Sequence, residues 1–253
     1  MPRREPADDR HRLMGEAPAT IEDAARFLHP TTGCWQRLLE PGGLTVACEA
    51  PYRWRYPVRV ADDRWLELPI RALGSDPQRA VASLIPNQAS FPVVRALAEA
   101  MTRLARPLDA QAVVGPPTLG MALSPLVAEA LGFERYIPLG YSRKFWYRDA
   151  LAQDVRSLTT PGEGKKVYLD PNQVPLVAGR RVVVVDDTVS NGTTLAAVAR
   201  LLAAAGADLC GVVVAMRQGT GWQSVAKSLR VPVLGVFDTP RLCWGGDGWY
   251  PER

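Results

Sequence analysis

Four consecutive valines, Val182–Val185, stand between Arg181 and Asp186 with no polar position among them. A strand with one solvated face alternates apolar and polar residues. An unbroken apolar run therefore predicts a strand covered on both faces, as in a parallel sheet between helices. Polar positions return abruptly as Asp186-Asp187 and the small-residue run Thr188–Thr194, after which Leu195–Ala205 predicts a helix. The same rhythm starts near Ala110, with strands expected at Ala112–Val114, Arg135–Leu139, Lys166–Leu169, Cys210–Met216 and Val233–Phe237. Helices are expected at Met121–Leu131 and Trp222–Leu229. Such alternation implies right-handed crossovers and a parallel sheet of the α/β class.

The first part of the chain reads differently. Residues 1–19 carry almost no large apolar side chains and are expected to form a flexible tail. Thr20 is placed to cap a helix over Ile21–Leu28, and Pro41-Gly42-Gly43 breaks the chain before an apolar stretch, Leu44–Ala50, that predicts a strand. Tyr56–Val60 and Trp65–Ile70 flank a polar turn and predict a β-hairpin, which gives Asp62-Asp63 a turn role. A helix over Phe91–Leu104 would place Val94, Leu97, Ala98, Met101 and Leu104 on one face.

Composition narrows the function classes. The 253 residues are 47% hydrophobic and 22% charged, with net charge +4 and a pI near 9.0. This mild basicity suits small anions and is too scattered to argue for nucleic acid. No apolar run approaches the roughly 18 residues of a membrane helix, and the N-terminus lacks a secretory apolar region. Cys34, Cys48, Cys210 and Cys243 form no C-x-x-C pair and fit reduced thiols in the cytoplasm. The two histidines, His11 and His29, both lie near the N-terminus, which argues against Ser-His-Asp or Cys-His chemistry. The sequence also lacks the Gly-x-x-x-x-Gly-Lys-Ser/Thr phosphate loop.

The chemistry gathers where the valine strand ends. Carboxylates at the carboxyl end of a buried strand lie where open α/β sheets bind ligands. The Ser/Asn/Gly/Thr/Thr loop offers backbone N–H groups and hydroxyls at a helix N-terminus, a site suited to phosphate. One ligand with a diol and a phosphate would satisfy both halves. A hydrophobic strand, Asp186, Asp187, three variable positions and then Asn191-Gly192-Thr193-Thr194 resembles the PRPP (5-phosphoribosyl 1-diphosphate) motif of the type I phosphoribosyltransferases. Asn191 departs from the pattern, which usually has Thr there.

The resemblance implies the type I fold: a twisted parallel sheet flanked by helices, with a β-rich and helical N-terminal extension forming a hood. It divides the chain into a tail over 1–19, a hood over 20–85 and a core domain over 86–253. Asp186 and Asp187 are then expected to accept hydrogen bonds from the ribose hydroxyls. Thr188, Val189, Ser190, Asn191, Gly192, Thr193 and Thr194 are expected to hold the 5-phosphate. Gly115, Pro117, Thr118, Leu119 and Gly120, between a strand and a helix, would form the pyrophosphate loop. Alone this is a Gly-Pro-Pro turn, but its position ahead of the acidic motif gives it the phosphate role. Arg143 and Lys144 match a cationic pair that opens a closing loop in adenine and orotate enzymes, and Lys165-Lys166 reads as solvated.

Phe237 and Trp146 are the candidate base-binding residues, with Trp222 a weaker one, and a core role for Phe237 at a strand end stands beside the stacking role. Mg²⁺ would arrive with PRPP, held by its oxygens rather than by a protein cage. The implied activity is transfer of the 5-phosphoribosyl group from PRPP to a nitrogenous base, adenine-like favoured, with release of pyrophosphate. The implied partners are these two small molecules, with no nucleic acid or membrane, in a cytoplasmic homodimer. Ser190 stands where hypoxanthine-guanine enzymes carry an acidic residue, which argues against that subgroup. The alternative is a regulator that binds PRPP or a nucleotide without catalysis.

Overall fold

The computed structural model describes residues 33–61, 63–155 and 165–252. The expected tail over 1–19 and helix over Ile21–Leu28 lie outside the described residues. Described strands and helices run β1 (Arg55–Arg59), β2 (Trp65–Leu73), β3 (Asp76–Ala82), α1 (Phe91–Ala105), β4 (Ala112–Gly115), α2 (Ser124–Ala130), β5 (Ile137–Pro138). They continue with β6 (Ala152–Val155), β7 (Lys165–Tyr168), β8 (Arg181–Val189), α3 (Thr193–Ala204), β9 (Asp208–Gln218), α4 (Gln223–Leu229), β10 (Val233–Thr239), β11 (Arg241–Trp244) and β12 (Trp249–Pro251). No helix among the described residues is long and apolar enough to cross a membrane.

The valine strand, β8, is the middle of a five-stranded sheet ordered β10-β9-β8-β4-β5, parallel throughout. Its two faces explain why the run has no polar break. Val183 and Val185 pack with Val213 and Ala215 against Leu97 and Met101 of α1 and Val127 of α2. Val182 and Val184 pack with Val212 and Val214 against Val198, Leu201 and Leu202 of α3. Burying each such side chain stabilises the fold by about 1.5–3 kcal/mol. Ser90 caps α1 by accepting a hydrogen bond from the Val93 N–H. The helix expected over Met121–Leu131 divides into a 3₁₀ turn, Gly120–Ala122, and α2, with Pro125 near its start.

The hairpin expected around residue 62 is β1–β2, antiparallel from Arg55↔Pro69 to Arg59↔Trp65. It belongs to a second sheet ordered β1-β2-β3-β11-β12, so strands from residues 55–82 and 241–251 share one sheet. β11 pairs with β3, and Trp249 of β12 exchanges backbone hydrogen bonds with Tyr52. Leu44–Ala50 is not a strand. The Thr45 hydroxyl bonds both carboxylate oxygens of Glu67, at 2.9 and 2.8 Å, and buried Glu67 also pairs with Arg55 at 2.9 Å. That segment is tied down by a side chain and makes no ladder, and most of its residues are exposed.

Trp249 is buried and meets Trp244 edge-on at 5.1 Å, joining β12 to the sheet. Trp249→Ala is expected to cost about 3–5 kcal/mol, read as a lower urea midpoint. A loss below about 1 kcal/mol would mean that the sheet does not depend on this ring.

Candidate functional site

Because the sheet is parallel, the carboxyl ends of β4, β8, β9 and β10 share one edge, with Val114 opposite Val184 and Asp186 opposite Val214. At that edge the loop after β4 meets the end of β8. A Cβ added at Gly120 would stand 2.6 Å from Asp186 Oδ1 and 3.2 Å from the Asp186 Cα, so only glycine fits. The Pro117–Thr118 peptide within this loop is cis.

Asp186 and Asp187 are partly buried, and the Asp187 N–H donates to Asp186 Oδ1 at 2.9 Å. Burial raises both carboxyl pKa values, Asp186 well above the usual range, and the neighbouring Asp187 charge raises Asp186 further. Tyr141 belongs to the same neighbourhood, its phenol pKa raised by burial and then by the charges of Asp186 and Asp187. Lys165 Nζ stands 5.5 Å from the centre of the Tyr141 ring. Neither residue stood out as a site residue in the sequence; Tyr141 sat unremarked beside the Arg143-Lys144 pair.

A cavity of about 160 Å³ opens beside the acidic pair, lined among others by Pro116, Asp186, Thr188, Ser190, Asn191 and Thr194. From the loop after β4 only Pro116 lines this space; the expected Gly115, Pro117, Thr118, Leu119 and Gly120 are not among its lining residues. Gly192 has φ 78°, and a Cβ there would meet Val225 Cγ2 at 2.9 Å, so both backbone angle and packing call for glycine. Asn191 turns inward on its own loop: its Oδ1 accepts from the Thr193 N–H at 3.1 Å and the Thr193 hydroxyl at 2.9 Å. This is an Asx-type turn at the start of α3.

The remaining sequence candidates do not converge on this cavity. Arg143 pairs with Asp149 at 3.0 Å, Lys144 is exposed, and Phe145 is 97% exposed. Trp146 Nε1 donates to Asp170 Oδ2 at 3.1 Å. Phe237 is 8% exposed and lies in the core cluster on the α1 side of the sheet. Trp222, in contrast, lines a second cavity of about 430 Å³ with Tyr56, Arg217, Thr220, Asp238 and Thr239. The turn between β9 and α4 separates the two cavities: a Cβ at Gly221 would stand 3.2 Å from the Ser190 carbonyl oxygen.

The raised carboxyl pKa values give a pH signature. A carboxyl group whose folded pKa is raised binds its proton more tightly folded than unfolded. Stability of the ligand-free protein is therefore lost as pH rises from the unfolded carboxyl range through the folded pKa. Asp186→Asn keeps an acceptor for the Asp187 N–H and removes the buried charge. It is expected to unfold at higher temperature than the parent at pH 7, by about 2–4 °C per kcal/mol relieved. The gain should vanish near pH 4, where free carboxyls protonate; a pH-independent difference in thermal melts would rule out this origin.

The phosphoribosyl transferase domain family matches residues 81–236, more than half of the chain. Over 133 residues the chain is 32% identical to the orotate phosphoribosyltransferase of Nitrosococcus oceani, covering 50% of this chain and 54% of that protein. Over 111 residues it is 35% identical to HGPRTase-like protein 1 of Halalkalicoccus jeotgali, covering 44% of this chain and 56% of that one. The chain thus spans just over half the length of these relatives. In structure it resembles the adenine phosphoribosyltransferase of Rhodothermus marinus, with TM-score 0.50, 20% identity, and coverage of 74% of this chain and 94% of that one. That last likeness concerns the fold alone. With its parallel sheet, its flanking helices and residues 81–236 matched, the chain belongs to the phosphoribosyl transferase domain family.

Proposed function

We propose that the protein transfers the 5-phosphoribosyl group from PRPP to a nitrogenous base and releases pyrophosphate. The observation that carries this reading is the packing of Gly120 directly onto Asp186, which sets the loop after β4 against a carboxyl group of the kind that accepts hydrogen bonds from a sugar diol. A ligand spanning both needs a sugar diol and a neighbouring diphosphate.

Asp186 and Asp187 accept hydrogen bonds from the ribose 2′ and 3′ hydroxyls, and Thr188–Thr194 hold the 5-phosphate. Within that loop the Thr193 N–H and hydroxyl are engaged by Asn191, so the hydroxyls of Thr188, Ser190 and Thr194 and the Asn191 amide N–H groups are side-chain donors left to face phosphate. Gly115–Gly120 cradle the diphosphate. The sugar C1–O bond breaks with its electron pair leaving on pyrophosphate, and a ring nitrogen of the base forms the new C1–N bond and loses its proton. Positive charge develops on the sugar, and the fixed carboxylates beside it stabilise that charge.

Among the described residues no three His, Cys, Asp or Glu side chains gather to hold a metal. The carboxylate pair does supply oxygen donors of the kind Mg²⁺ takes, alongside those of PRPP itself. Mg²⁺ bound with PRPP would neutralise the departing diphosphate. The base is assigned to the 430 Å³ cavity, which shares the Gly219–Gln223 turn with the phosphate loop and offers the Trp222 face in place of Phe237 or Trp146.

Asp187→Asn is expected to weaken PRPP binding by about tenfold to a hundredfold, the loss of a charge-assisted hydrogen bond, with the circular dichroism spectrum unchanged. Calorimetric titration with PRPP and Mg²⁺ checks this, and parent-like affinity would overturn the diol assignment. Pyrophosphate release is then measured with adenine, guanine, hypoxanthine, xanthine, orotate and uracil. Tight PRPP binding without turnover on any of them would make the protein a PRPP-responsive regulator instead.

A further inference from the structure

Thr239 ends β10 at the larger cavity, is 2% exposed, and its Oγ1 has no hydrogen-bond partner among the described residues. Unpaired buried hydroxyls are rare and costly unless a ligand supplies the missing bond. Beside it, three of the five N–H donors of Arg217 are engaged. Its Nε and Nη2 donate to the two Asp238 carboxylate oxygens at 2.6 and 2.8 Å, and Nη1 donates to the Val233 carbonyl at 3.3 Å. This fork holds the guanidinium 5.5 Å from the centre of the Trp222 ring.

The lining therefore holds one cation and one anion already joined to each other, the rings of Trp222 and Tyr56, and one buried hydroxyl without a partner. Its other polar side chains, Tyr56, Thr220 and Gln223, are uncharged. The Arg241 side chain runs close to Gly219 but is not among the lining residues. An anionic ligand would have to displace Asp238 from Arg217 or sit beside that carboxylate. An uncharged planar ring meets neither penalty.

We propose that Thr239 and the Arg217–Asp238 pair select an uncharged heterocyclic acceptor and disfavour one bearing a carboxylate. The Thr239 hydroxyl bonds a ring-edge nitrogen or carbonyl, and the locked ion pair denies a carboxylate its counter-charge. This inference rests on the transferase reading of the adjoining site.

The test separates the two. PRPP affinity is measured calorimetrically without an acceptor. Equilibrium dialysis then follows adenine, hypoxanthine, uracil and orotate on full-length protein saturated with ribose 5-phosphate, which cannot transfer. At least one uncharged base is expected to bind about tenfold or more tightly than orotate, and Thr239→Val to weaken it by about tenfold while Thr239→Ser retains it. Asp238→Asn, by freeing Arg217, should narrow the gap to orotate. PRPP affinity should be unchanged in all three variants, and thermal melts confirm that each is folded. Orotate binding as tightly as every uncharged base, or Thr239→Val binding like the parent, would overturn the proposal. Failure of the parent protein to bind PRPP would instead defeat the transferase reading.

Discussion

Two neighbouring carboxyl groups inside β8, which runs on past them to Val189, set the terms for the rest of the ligand edge. Asp186 and Asp187 follow four valines that are buried on both faces of the sheet, so their carboxylates leave β8 in surroundings that disfavour ionisation. The backbone has little freedom to relieve the repulsion, because β8 stays paired with β9 at Asp186 and again at Thr188. One internal bond, from the Asp187 N–H to Asp186, offsets part of the cost. Desolvation that penalises the empty site also strengthens each charge-assisted bond a sugar hydroxyl would make there. Stability and affinity are therefore opposed at this strand end, a common arrangement where a site is preorganised.

The parallel half of the fold was legible because two-sided burial leaves a plain mark. An unbroken valine run cannot belong to a half-solvated strand, and the strand–helix rhythm after Ala110 follows from covering both faces. The exception is the strand expected over Lys166–Leu169, where β7 pairs antiparallel with β6 outside the parallel sheet. The second sheet was legible only in its first hairpin. β3 buries Ala80 and Ala82 rather than branched or aromatic residues, so its alternation is faint. β11 and β12 are short and belong to a sheet begun more than 180 residues earlier, at Arg55, and local pattern carries no information about so distant a partner. Leu44–Ala50 failed for the opposite reason: its composition suits a strand, but Glu67 takes the Thr45 hydroxyl.

The site divides in the same way. The acidic pair, the phosphate-type loop and the Gly115–Gly120 loop form contiguous words in the sequence, each with its own backbone logic. Tyr141 does not, since its nearness to Asp186 and Asp187 comes from the crossover after β5 rather than from spacing. Phe237 shows the converse. Aromatic character and a strand-end position suggested stacking on a base, but its side chain faces the α1 side of the sheet, where Leu97 and Met101 complete the core. Its neighbour two positions on, Thr239, lines a cavity instead, with no chemical signal in the sequence to mark it.

The position of that threonine follows from how the two sheets are joined. β10 ends at Thr239, Pro240 intervenes, and Arg241 already pairs with Val81 in the antiparallel sheet. A chain passing from one sheet to the other over a single proline cannot close the space between them. Tyr56, from the antiparallel sheet, and Trp222, from the turn before α4, wall the gap that remains. The hydroxyl left without a partner lies at this junction, where neither sheet's ladder can satisfy it. A fold that draws its second sheet from strands as far apart in sequence as β1 and β12 thereby builds a pocket between its sheets, lined by none of the residues of the carboxylate pair on β8.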